Sequence, residues 1–167
     1  GAALVAAPGF ADEYPSKPIT IVVTYPAGGG ADLMARLIAP KMAAVLKTSV
    51  VVENRPGASG QIAAGYVAKS NPDGYTLMLD ASSFAVNPSL FAKLPYDSDK
   101  AFAMIGVTAL FPNVLVANTQ FPAKNVKEVI AAAKAKPGAV GFASSGNGSA
   151  QHLAGALFEL QGKVDML

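Results

Sequence analysis

Cysteine is absent from this chain, which excludes thiol nucleophiles, disulfides and thiolate metal sites. Histidine is nearly absent: His152 stands alone, so no multi-histidine metal centre can be built. Charge is scarce as well. Charged residues make up 14% of the sequence, the formal net charge is +2, and lysine and arginine nowhere cluster. That pattern lacks the electrostatic footprint of a nucleic-acid-binding protein. What fills the chain is apolar: 51% of its 167 residues are hydrophobic. This is enough to build a buried core rather than a disordered chain, in one compact domain or two small lobes.

The chain is organised around Thr24-Tyr25-Pro26-Ala27-Gly28-Gly29-Gly30-Ala31-Asp32. A continuous apolar run, Ile19 to Val23, leads into it. Leu33, Leu37, Ile38, Met42, Val45 and Leu46 lead out at helical spacing, so the stretch reads as strand, glycine turn and helix. Glycines uncover backbone N–H groups, and a helix start adds more, with the positive end of its dipole. An anionic or carbonyl oxygen fits such a place. The turn is not a Walker A loop, because no Gly-Lys-Ser/Thr follows. It is not a dinucleotide fingerprint, because Leu33 stands where the last glycine belongs. Asp32 also suits a first-turn acid favouring the helix dipole.

The same device returns near the end. Val140 to Ala143 is a strand candidate, Ser144-Ser145-Gly146-Asn147-Gly148-Ser149 is a small-residue turn, and Ala150 to Gln161 reads as a helix with Leu153, Ala156, Leu157 and Leu160 on one face. Two such units suggest one ligand held from two sides. Asn147 or Ser149 also suits a helix N-cap. Between the two units, Ser49 to Glu53 and Tyr75 to Leu79 read as strands. Gln61 to Lys69 reads as a helix with Ile62, Tyr66 and Val67 inward. Asn125 to Lys136 reads as an alanine-rich helix stopped by Pro137-Gly138. Ala103 to Leu110 and Asn113 to Ala117 are further strand candidates, Asn87 to Tyr96 reads as a loop with a short helical turn, and Val164 to Leu167 as the start of a strand. Strands alternating with helices predict an α/β fold with a mainly parallel sheet. Ser82 and Ser83 then fall at the carboxyl edge of that sheet, where ligands bind in open α/β folds.

Catalytic signals are missing. No Gly-x-Ser-x-Gly elbow surrounds Ser59 or Ser149. Ser149 and His152 lie three apart on a helix, without a paired acid. In Glu53-Asn54-Arg55-Pro56-Gly57, Arg55 suits either a substrate carboxylate or a salt bridge with Glu53 in a solvated loop. The start, Gly1 to Ala11, is apolar and rich in small residues. It reads as the tail of a secretory signal peptide cut near Ala11, and it is too short to span a bilayer.

Several segments carry a family resemblance: Tyr14-Pro15-Ser16-Lys17-Pro18-Ile19, Tyr25-Pro26-Ala27-Gly28-Gly29, Val52-Glu53-Asn54-Arg55-Pro56-Gly57-Ala58 and Pro72-Asp73-Gly74-Tyr75-Thr76-Leu77. Asn87-Pro88-Ser89-Leu90, Leu94-Pro95-Tyr96-Asp97 and the run from Ala143 to Gly155 extend it. In this order they resemble the Bug-type extracytoplasmic solute receptors, the periplasmic binding proteins related to tripartite tricarboxylate transporters. The resemblance implies a periplasmic binding protein-like fold of two lobes, each with a mainly parallel sheet flanked by helices. It implies a non-enzymatic periplasmic receptor, without cofactor or metal, that closes on a small carboxylate-bearing solute for membrane transporter subunits. The implied ligand contacts are Ala27, Gly28, Gly29, Ser82 and Ser83 from one lobe. Those from the other are Ser144, Asn147, Gly148, Ser149 and His152. Residues 12–110 would form the first lobe after a leader of residues 1–11, and residues 111–167 the first part of the second. The family plan continues beyond Leu167, so this expectation includes a second lobe left incomplete. The competing readings are a small-molecule enzyme using the same sheet edge and a remnant without binding activity.

Overall fold

The computed structural model of the protein describes residues 13–167. The expected leader and its cleavage point near Ala11 lie outside the described residues. Three parallel strands form one sheet in the order β2-β1-β3, with β1 Ile19–Val23, β2 Val50–Asn54 and β3 Thr76–Leu79. Ile21 sits opposite Val52 on one side and Leu77 on the other. The run of β-branched residues in β1 suits a central parallel strand covered on both faces. Helix α1 (Gly30–Leu46) packs on β1 and β2, and helix α2 (Gln61–Val67) packs on β3 and β1. Ile21 and Val23 on one face of β1, and Val22 on the other, are accordingly buried.

The helix core uses smaller side chains than the periodicity predicts. Ala35 and Ala39 of α1 pack on Ile21 and Val23, with Met42 alongside. Leu33, Leu37 and Val45 are exposed. Alanine lets the helix axis approach the sheet, and this choice of face turns the leucines outward. The same happens on α2: Ala63 and Ala64 are buried, whereas Ile62 and Tyr66 are exposed.

Helix α3 (Ser83–Leu90) starts before the predicted loop and supplies its short helical turn, with Pro88 inside it, and residues 91–96 stay irregular. The Asp80 carboxylate accepts from the Phe84 N–H and the Ser83 hydroxyl. It thereby satisfies donors that a helix start leaves free. Helix α4 (Val126–Ala135) follows its prediction. Asn125 caps it by accepting from the Glu128 N–H, and Glu128 accepts in return from the Lys124 N–H, a reciprocal cap. Helix α5 (Ala150–Gly162) is also where the pattern placed it, but Leu157 and Leu160 on its expected inner face are exposed.

Three predicted strands, and the strand start predicted at Val164–Leu167, form no ladder among the described residues. Residues 103–110 and 113–117 run without ladder partners, and their large side chains, Ile105 and Val116 among them, are exposed. An apolar β-branched run has strand propensity, but a strand needs a neighbour to pair with. Residues 140–143 come closest. The Leu167 N–H donates to the Val140 carbonyl and the Phe142 N–H to the Leu167 carbonyl, the slanted pattern of a parallel pair. That pairing gives the segment at Val164–Leu167 its strand-like character.

Two of the family-like segments meet at the edge of the fold. The Tyr14 hydroxyl donates to the Gly74 carbonyl (2.9 Å), and Lys17 pairs with Asp73 (3.0 Å). The Lys17 ammonium also lies 4.3 Å from the Tyr75 ring centroid, a cation–π contact. These residues clamp the chain start onto the turn before β3 and take no part in the cleft described next.

Candidate ligand-binding cleft

All three strands point their carboxyl ends at one cleft of about 360 Å³. Thr24, Tyr25 and Pro26 line it from the loop after β1. Pro56, Gly57, Ser59 and Gly60 line it from the loop after β2, and Ser83 lines it at the start of α3. The opposite wall is Ser145, Gly146, Asn147 and Ser149, from the turn before α5. The Ser59 hydroxyl bridges the two walls by donating to the Asn147 carbonyl (3.0 Å). The volume suits a small metabolite. Among the described residues, no lysine, arginine or histidine lines it.

The sheet-side wall is built on Asp80. Its carboxylate accepts from the Thr24 hydroxyl and from the Ser83 hydroxyl, the latter at 2.7 Å. The Tyr25 hydroxyl donates to Ser83 Oγ (3.2 Å). Thr24 and Ser83 are 3% and 2% exposed, so this network is fixed rather than solvated. Gly60 packs directly over it. A Cβ there would lie 3.1 Å from Ser83 Oγ and 3.3 Å from Thr24 Cβ, and its φ is +81°. Behind it, Asn87 is buried and donates to the Ser59 carbonyl (2.8 Å). That bond holds the loop in a run of four positive φ values, from Gly57 through Ala58 and Ser59 to Gly60. Left-handed backbone costs a non-glycine residue about 1–2 kcal/mol, and strain of this kind gathers at ligand sites.

The turn before α5 is more self-satisfied than its glycines suggest. Ser149 is the N-cap, accepting from the His152 N–H (3.2 Å). The Gly148 N–H donates to His152 Nδ1 (3.3 Å), the Ser149 N–H to the Gly146 carbonyl and the Gly146 N–H to Ser144 Oγ. The N–H groups of Gly146, Gly148 and Ser149 are thus taken within the turn, and Ser145, Asn147 and Ser149 bring hydroxyl and amide side chains to the cleft wall.

Of the expected contacts, Ser83, Asn147 and Ser149 come together on the cleft wall. Ser82 sits one residue outside as the residue preceding α3. Ser144 and His152 brace the turn from behind through the bonds just given. Gly148 is buried, and a Cβ there would point at Leu90 (2.7 Å) and Val86 (3.8 Å) on α3, not into the cleft. Its φ of +79° and this close packing explain why glycine occupies the position. Ala27, Gly28 and Gly29 are exposed beyond Pro26.

The glycine turn is instead tied down by Asp32, which is 3% exposed. Its carboxylate accepts from the Gly28 N–H (2.8 Å), from Arg36 Nε (3.0 Å) and from the Asn54 amide (3.0 Å). Asn54 also donates to the Tyr25 carbonyl (3.1 Å), so this cluster positions the loop whose other end lines the cleft. Hydrogen bonds from Arg36, then Gly28, then Asn54 lower the Asp32 pKa from 3.8 to about 2. A carboxylate with a depressed folded pKa stabilises the fold above its unfolded value and loses that contribution as pH falls through the folded value. Stability should therefore drop between about pH 4 and pH 2, and Asp32→Asn should remove that part of the drop. Denaturant titrations at stepped pH measure it; identical pH slopes for parent and variant would refute it.

The loop after β2 was the part of the site hidden in the sequence. Arg55 pairs with Glu53 (2.7 Å) and lies 3.6 Å from the Tyr66 ring centroid, so it holds a neighbour and does not line the cleft. The residues that do, Pro56, Gly57, Ser59 and Gly60, look like ordinary loop composition. Their signal was positional: they follow a parallel strand at its carboxyl end. Asp80, adjoining the serine pair, was passed over for the serines it organises.

The chain is similar to known proteins in both sequence and fold. Residues 34–166 match the family described as Tripartite tricarboxylate transporter family receptor. The chain is 42% identical over 159 residues to Protein BugT of Bordetella pertussis, covering 94% of this chain and 49% of that protein. It superposes on MatC from Rhodopseudomonas palustris, solved with bound malate, with a TM-score of 0.82 and 32% identity, over 92% of this chain and 53% of that one. The periplasmic binding protein BugD gives a TM-score of 0.79 and 34% identity, over 92% and 52%. The chain thus spans about half the length of the relatives it matches.

Proposed function

We infer that this chain, which belongs to the tripartite tricarboxylate transporter receptor family, captures a small carboxylate-bearing solute in the cleft between its two walls. Its fold is that of the periplasmic binding proteins, an α/β fold with a parallel sheet flanked by helices. In this proposal residues 12–110 and 111–167 belong to two lobes, and Ser59 and Asn147 meet across their junction. The observation that carries the reading is the cleft itself. Ser83 from the sheet edge faces Asn147 and Ser149 from the α5 turn across a space sized for a small metabolite. Neutral amide and hydroxyl donors at a helix start can hold a carboxylate without a full counter-charge. The malate in MatC supports a carboxylate as the ligand class.

Export to the periplasm and delivery to membrane transporter subunits complete the proposed role. Among the described residues no helix is long and apolar enough to cross a membrane. Isothermal titration of the purified protein with a panel of C4 to C6 mono- and dicarboxylates tests the reading, with mass spectrometry of the recovered ligand. Saturable binding with the ligand recovered unchanged is expected. Absence of binding across the panel, or conversion of the ligand, would overturn it.

A further inference from the structure

The two walls of the cleft differ in the direction of their hydrogen bonds. A hydroxyl carries one proton, and on the sheet side every lining hydroxyl already points its proton elsewhere. Thr24 and Ser83 donate to Asp80, Tyr25 donates to Ser83, and Ser59 donates to the Asn147 carbonyl. What this wall offers a ligand from these groups is lone pairs, backed by a carboxylate. The facing wall has the opposite character. Ser149 Oγ accepts from the His152 N–H and keeps its proton. The Asn147 amide also faces the cleft.

We propose that Asp80 sets the sheet-side wall as an acceptor surface, so that the cleft selects a ligand with a carboxylate at one end and a hydrogen-bond donor at the other. The donor is a hydroxyl, a primary amide or an ammonium group. This rests on the carboxylate reading above and adds the chemistry of the second end. A second carboxylate set against these hydroxyls would meet their lone pairs, not their protons. It would need an interposed water donating both ways, and it would still face the Asp80 charge. Asp80 acts through Thr24 and Ser83, so it is a positioning residue for specificity rather than a direct ligand contact.

Matched pairs test this: succinate against succinamate, glutarate against glutaramate, and adipate against adipamate, titrated calorimetrically into the purified protein. Each pair keeps one carboxylate and changes the other end from acceptor to donor. At the length that binds best, the amide should bind at least about tenfold more tightly, because a site leaves polar groups unpaired when the wrong end is presented. In Asp80→Asn the side-chain amide can donate to Thr24 or Ser83 and release a hydroxyl proton toward the cleft. The preference should then fall to near unity or reverse. Because this change also weakens the α3 cap, Thr24→Val provides a second variant, and it should lower the preference as well. Parent binding in which the dicarboxylate equals or exceeds the amide would overturn the Asp80 inference and leave carboxylate capture standing. So would an unchanged ratio in a folded variant, checked by circular dichroism. No binding of any member would overturn both.

Discussion

Asn147→Asp should weaken capture of a carboxylate ligand by at least about a hundredfold, the largest effect expected of any isosteric change in the cleft. The side chain keeps its size but exchanges an amide donor for a negative charge. Two like charges about 4 Å apart repel by about 4 kcal/mol at an effective dielectric of about 20. An open cleft screens part of this, which leaves the hundredfold figure. Folding should be spared, because the contact between Asn147 and Ser59 uses the Asn147 backbone carbonyl, and the Asn147 side chain is exposed. Calorimetry with the tightest-binding carboxylate from the panel measures the loss. Ser149→Ala makes a graded comparison, since it removes one hydroxyl donor to a charged group, about 1.5–3 kcal/mol. It also removes the N-cap of α5, so its effect on stability must be measured alongside. If Asn147→Asp binds as tightly as the parent, the α5 turn is not the carboxylate site.

Gly60→Ala should destabilise the fold by about 2–5 kcal/mol and deform the sheet-side wall at the same time. Two costs add. The left-handed φ of +81° penalises a Cβ by about 1–2 kcal/mol. The new methyl then presses on Ser83 Oγ and Thr24 Cβ, and overpacking typically costs about 1–3 kcal/mol. Neither neighbour can give way cheaply, because both hydroxyls are held by Asp80. Chemical denaturation reads the stability loss, and titration of the folded fraction reads weakened binding. A variant as stable as the parent would show that the loop relaxes without strain. Gly148→Ala offers a contrast. Its Cβ would meet the tip of Leu90, a flexible and 40% exposed side chain, so the packing cost there should be smaller.

The elements legible in the sequence were those whose signals are local. The β-branched run Ile19–Val23, the glycines after it and the Pro137-Gly138 stop after the alanine-rich helix each fix a backbone conformation within a few residues, and each was found where expected. Periodicity located α1 and α5 but misjudged what they bury. The leucine stripe competes with an alanine stripe on the same helix. The sheet settles that competition on α1 in favour of Ala35 and Ala39, because small side chains permit close approach. The loop with a short helical turn read at Asn87–Tyr96 holds in part: its helical turn is the end of a longer helix, α3, and residues 91–96 stay irregular. Pro88 sits inside α3, but the helix ends two residues later at Leu90.

By itself the sequence determined the chemical type of the site: small, uncharged, glycine-lined, and without cysteine or a histidine cluster. Its ordered motifs pointed to the family. It also determined that strands alternate with helices, and so that the loops after the strands share one edge. Only the tertiary structure decided which loop residues face the cleft. Strand order places the loops after β1, β2 and β3 side by side, and three-dimensional packing alone brings Ser59 to Asn147, 88 positions away. Packing likewise turned Gly148 toward Leu90 and tied Gly28 to Asp32. It also made Asp80 the acceptor for Thr24 and Ser83. Such roles depend on which hydroxyl protons meet which acceptors across the fold, and residue spacing along the chain carries no record of that.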